Sequence, residues 1–127
     1  MKIVALIARV LLGLIFLFFG LNGFFNFLPM GSPPSGLAGQ FLGVLFQSHY
    51  VYFVCAVQIA GGALLLVNRY VPFGLTLLGP VIVNILLYHL TMDLKGIPLA
   101  LVVTILWGIV AYRNRQYFAG LFVQRTA

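Results

Sequence analysis

Polar residues are scarce along this chain and fall between long apolar runs. Four runs, at residues 3–25, 50–67, 72–92 and 97–112, each approach the ~20 residues a helix needs to cross a hydrocarbon core of ~30 Å. Helix-breaking residues separate them. "FLPMGSPPSG" reads as a loop through its prolines and glycines, "NRYVP" closes the second run, and "DLKG" turns the chain after the third. Ser48 is placed to cap the second span and Pro98 suits the first turn of the fourth. Within the third, Gly79-Pro80 predicts a kink, because proline removes a backbone donor and leaves the Thr76 carbonyl without its usual partner. Gly13, Gly20 and Gly23 lie close to one face of span one, and Gly61-Gly62 interrupts span two; both are surfaces on which another helix can approach closely.

Two shorter segments have a different pattern. Residues 37–47 mix Phe41, Leu42, Leu45 and Phe46 with Gln40 and Gln47 and are too short to span, which predicts an interfacial or re-entrant helix. Over 113–127, Tyr117, Phe118, Leu121 and Phe122 alternate with Arg113, Arg115, Gln116 and Arg125, an amphipathic tail suited to the headgroup layer. The predicted fold is therefore an all-α membrane protein: one domain, 1–127, forming an antiparallel four-transmembrane-helix bundle with a short interfacial or re-entrant helix between spans one and two. The basic, apolar start resembles a signal peptide, yet no A-x-A-like cleavage site follows, so it is read as the first span.

Composition agrees. The chain is 63% hydrophobic and 6% charged with mean hydropathy +1.15, against the ~25% charged residues of soluble domains. Its net charge of +6 reports topology before it reports binding, so nucleic acid is not an expected partner. Lys2, Arg9, Arg69, Arg113, Arg115 and Arg125 fall on one side of a four-span topology and Lys95 alone on the other, which predicts both termini in the cytoplasm. Cys55 stands alone, so neither an internal disulfide nor a C-x-x-C redox motif exists, and its apolar neighbours suit an inert core thiol.

With that orientation the polar residues lie at the midplane or in the outer half: Asn22 and Asn26 near the outer end of span one, Gln58 mid-span in two, and Asn84, His89 and Asp93 along three. This asymmetry predicts a polar pocket opening outward, lined by Asn22, Gln58, Asn84, His89 and Asp93. His89 and Asp93, four apart, share one face where a carboxylate would orient the imidazole. Asn84, Tyr88 and Thr91 form a second face, and the two need not share a pocket. Plainer readings stand beside these. Asn84 and Gln58 serve as interhelical hydrogen-bonding groups, His89 as a packing histidine, Asp93 as a boundary residue paired with Lys95, and Phe16, Phe18 and Phe19 as core or lipid-facing rings. His49, His89 and Asp93 do not define a metal site by spacing. Paired carboxylates, Walker loops and serine-hydrolase motifs are absent, so catalysis by this chain alone is not expected.

The stretches "ARVLLGLIFLFFGLNGFFNF" and "QIAGGALLLVNRYVPFGLTLLGPVIVNILLYHL" resemble the DoxX or DoxX-like family of small bacterial four-helix membrane proteins, most specifically through "GG-x-LLL-x-NR" and "GP-x-I-x-N-I-x-x-x-H". The likeness covers spans one to three. It implies a ligand-binding or accessory subunit in quinone-linked or oxidant-response electron transfer, with quinone or lipid as the ligand, oxidoreductase subunits as partners and a homo-oligomer compatible with the family. Only Asn84 and His89 fall on its "N-I-x-x-x-H" stretch. Competing readings are a structural or scaffolding bundle acting through a protein partner and a small-molecule transporter with Gly79-Pro80 as its broken helix, although no matching interruption occurs in a second half.

Overall fold

The computed structural model describes residues 2–26 and 34–126. The Pro29 and Pro33 part of the expected loop lies outside them. The described chain is all-helical, in the order α1 (Lys2–Phe25), α2 (Gly36–Gln47), α3 (Tyr50–Val67), α4 (Val71–Thr91), a 3₁₀ turn (Leu94–Gly96), α5 (Ile97–Arg113) and a 3₁₀ segment (Arg115–Phe122). Counting the 3₁₀ turn with α5, four of these helical stretches are long and apolar enough to cross a membrane. α1 packs on α3 and α5, and α4 packs on the same two, closing a ring in which α2 touches α3.

Glycines set the distances within that ring. A methyl group on Gly13 would fall 2.9 Å from the Gly62 carbonyl oxygen, and one on Gly62 would fall 2.8 Å from the Gly13 oxygen, so the two backbones meet with no side chain between them. Followed from Gly13 to Gly20, α1 steps its contacts back from Gly62 to Cys55 and Ile59. Gly61, next in chain, turns the other way, where a methyl group would meet Leu78 at 2.6 Å and the Gly74 oxygen at 3.3 Å. The "GG" pair thus lets α3 approach α1 and α4 at once. Leu12, Phe16, Leu65, Leu75, Leu78 and Val103 fill the space between the four helices.

α4 continues through Pro80 without a break in the helix. Ser48 is not the N-cap of α3: that position is His49, in the left-handed region at φ 63°, while the Ser48 hydroxyl accepts from the Tyr50 N–H at 3.3 Å from one residue earlier. At the other end of α3, Asn68 at φ 57° closes the helix, as asparagine tolerates that conformation. There the Arg9 guanidinium donates to the Leu65 carbonyl and, at 3.5 Å, to that of Leu66, a cation on the negative end of the helix. Trp107 Nε1–H ties α5 to α4 through the Leu75 carbonyl at 2.9 Å.

Gly62→Ala should lower stability by about 1–3 kcal/mol, the usual cost of overpacking. Gly108→Ala, where a methyl group meets nothing within 4 Å, should leave it unchanged or raise it by up to ~1 kcal/mol. Thermal unfolding of both variants in one detergent reads the difference directly.

Candidate functional site

Val54, Val57 and Gln58 of α3 and Leu77, Pro80 and Val81 of α4 line a common space between the two helices. α2 covers part of the gap. The result is a cavity of about 870 Å³ between α2, α3 and α4, within the ~300–1,000 Å³ typical of small-molecule sites. Its wall is mostly apolar and includes the rings of Phe41, Tyr50, Phe53 and Tyr88. Phe41 of α2 lies against Tyr88 of α4, with centroids 5.6 Å apart, so α2 is held to the cavity's rim by an aromatic contact.

Two expected site residues line this cavity together: Gln58 and Asn84. Among the described residues, Asn84 does not hydrogen-bond across the bundle. Its Nδ2–H returns to the Pro80 carbonyl four residues back at 2.9 Å, in its own helix, and its amide oxygen stays available at the cavity wall. It therefore leaves the Thr76 carbonyl, which Pro80 cannot serve, to other partners. Gln58 is half-buried and among the described residues makes no hydrogen bond to the protein, so it too fails to act as an interhelical tie. A polar group left unmet away from water is costly. The two together leave one complete amide and, on Asn84, an amide oxygen and a second N–H for other partners.

Asn22, His89 and Asp93 are not among the lining residues. Asn22 is buried in α1, one residue before Gly23, which abuts Cys55. His89 turns instead toward the α4–α5 connection. Its ring sits on Gly96, and Nδ1 lies 3.0 Å from the main-chain carbonyl of Asp93; since a carbonyl only accepts, Nδ1 carries the proton. The expected imidazole–carboxylate contact is absent among the described residues. The Asp93 carboxylate accepts from the Lys95 N–H at 3.3 Å and opens the 3₁₀ turn, so it meets the backbone of Lys95 rather than its ammonium group. The polar faces of α4 thus go to different places: Asn84 and Tyr88 to the cavity, His89 to the turn, and Thr91 onto the Leu87 carbonyl at 2.6 Å.

Sequence reasoning had placed Phe41 on the short helix and Tyr88 beside Asn84 without making either a site residue. The signal for Tyr88 was its spacing, one helical turn from Asn84. For Phe41, Tyr50 and Phe53 no signal existed before α2 was positioned. Among the described residues no group of three metal-ligating side chains occurs.

His89→Ala should cost about 1 kcal/mol for the lost hydrogen bond and loosen the α4–α5 turn in hydrogen exchange. Asp93→Asn keeps an oxygen for the Lys95 N–H and should stay close to wild type; a loss as large as that of His89→Ala would mean that the carboxylate carries the pairing.

Comparison of the chain with family models, with curated proteins and with solved structures finds no match.

Proposed function

We propose that the chain is a DoxX-like, multi-pass protein of the bacterial cytoplasmic membrane that binds a quinone, or a lipid with a comparable polar ring, in the cavity between α2, α3 and α4. It acts as an accessory subunit to an electron-transfer or oxidant-response complex. In this reading the four long helices cross the bilayer antiparallel to one another, α2 lies at the outer interface, and the basic end with Arg9, Arg69 and Arg113 faces the cytoplasm.

The observation that carries the ligand is the Gln58 amide, at mid-span, on the wall of a mostly apolar, ring-lined cavity and, among the described residues, without a protein partner. A ligand carbonyl accepts from its N–H, and a flat ring packs between Phe41, Phe53 and Tyr88. The Asn84 oxygen accepts from a hydroxyl and its second N–H donates to a carbonyl, so a hydroquinone or a quinone finds a partner at each amide. No side chain on this wall is charged, and none is a paired acid or thiol that would make the chain an oxidoreductase by itself.

Titration of the detergent-purified protein with a short-chain benzoquinone tests this. Gln58→Leu, similar in volume, should weaken binding about fivefold, the factor corresponding to ~1 kcal/mol for one hydrogen bond. His89→Ala should bind as wild type does. Non-saturable binding, or equal affinity in Gln58→Leu, overturns the reading and leaves the cavity to packing lipid.

A further inference from the structure

A second recess lies at the opposite, basic end, where the 3₁₀ segment Arg115–Phe122 folds back against α5. It encloses about 440 Å³, and its wall is apolar, with Trp107, Ala111, Phe118, Leu121 and Phe122 surrounding one charged group, Arg115. Phe118 is half-buried and packs on the core, which fixes the segment against the bundle. Leu121 and Phe122, by contrast, are 72% and 86% exposed, too apolar to face water and correctly placed to continue the wall of a cleft into a membrane interface.

Arg115 is held in position at this cleft. Its Cζ lies 4.2 Å above the centroid of the Tyr112 ring, and Nη1–H donates to the Tyr112 carbonyl at 2.9 Å. One bond uses one of the five N–H donors of a guanidinium, and the others remain for an anion. No acidic side chain supplies one: Asp93, the single Asp or Glu of the sequence, is at the far end of α5, about 25 Å away at 1.5 Å per residue. Arg113 and Arg125 strengthen the positive field nearby without lining the cleft.

We propose that this cleft is a binding site for one anionic phospholipid, its phosphate on Arg115 and an acyl chain along Trp107 and Phe118. The occupant follows from the joining of two chemistries in one recess. A free phosphate has no use for five apolar side chains, and a zwitterionic lipid carries an ammonium that Arg115 repels. The proposal rests on the membrane reading of the chain and not on the α3–α4 cavity.

Trp107 is the only tryptophan and lines the cleft, so its fluorescence reports occupancy. The full chain is reconstituted in dioleoylphosphatidylcholine vesicles, and phosphatidylglycerol or phosphatidylcholine with brominated acyl chains is titrated in as quencher. Brominated phosphatidylglycerol should quench with a relative binding constant about fivefold higher than phosphatidylcholine, the preference expected for one basic residue at an anionic surface. Arg115→Gln should bring the ratio to about one, while Arg125→Gln, outside the cleft, should keep most of it; unchanged quenching by brominated phosphatidylcholine in both variants verifies that they are folded. Equal quenching by the two lipids in the wild-type protein, or equal loss in the two variants, overturns the site in favour of a diffuse basic surface. Quenching by neither lipid overturns the membrane reading as well.

Discussion

The approach of α1 and α3 through Gly13 and Gly62 is the constraint on which the rest of the structure depends. Two helices packed through ordinary side chains stand 8–10 Å apart, and removing both Cβ atoms lets each backbone touch the other's carbonyls. The contact extends along α3, because Gly20 meets Cys55 and Ile59 in the same way. α3 is therefore committed to α1 over most of its length. Its contact with α4 includes Gly61 against Gly74 and Leu78. Toward the start of α3, Val54 and Val57 instead line the cavity together with Pro80 and Val81 of α4.

A second regularity concerns polar side chains within the long helices. Thr76, Asn84 and Thr104 each donate to the carbonyl four residues back, Trp107 donates to Leu75, and Arg9 donates to the end of α3. Donors that would be costly in hydrocarbon are thereby absorbed by backbone carbonyls, which have a second lone pair to offer. The bonds of Thr76, Asn84 and Thr104 stay within one helix, whereas those of Trp107 and Arg9 tie α5 to α4 and α1 to α3. Against that background the Gln58 amide differs, since it has the same need and, among the described residues, makes no hydrogen bond. Its position on a cavity wall, rather than on a packed interface, is what allows that.

Helix positions were legible because hydrocarbon length and apolar run length are the same quantity, so that α3 occupies the residues the hydropathy assigned to it. The two faces of α4 were legible from the helical period. What failed was the extrapolation of that period past a helix end. His89 and Asp93 are four apart, yet the helix closes at Met92 and Asp93 takes φ −150° and ψ 87°, which turns its carbonyl and not its carboxylate toward the imidazole. Ser48 was read as a cap from residue type, whereas the left-handed turn at His49 moves the cap by one residue. The cavity was half legible: Gln58 and Asn84 carried a polar signal, but the rings facing them come from three helices whose mutual placement no local pattern encodes.

The chemistry of the cavity limits what its polar groups can decide. A hydrophobic ligand already in the bilayer gains little from moving between lipid tails and an apolar wall, for both media are alike, and association inside a membrane rests on packing and on hydrogen bonds of roughly 0.6–2 kcal/mol. On the binding proposed above, Gln58 and Asn84 would therefore govern orientation more than affinity. Phe41, Phe53 and Tyr88 would then discriminate between ring-bearing and plain lipids, and α2, attached at the rim by Phe41 on Tyr88, would set the width of the opening.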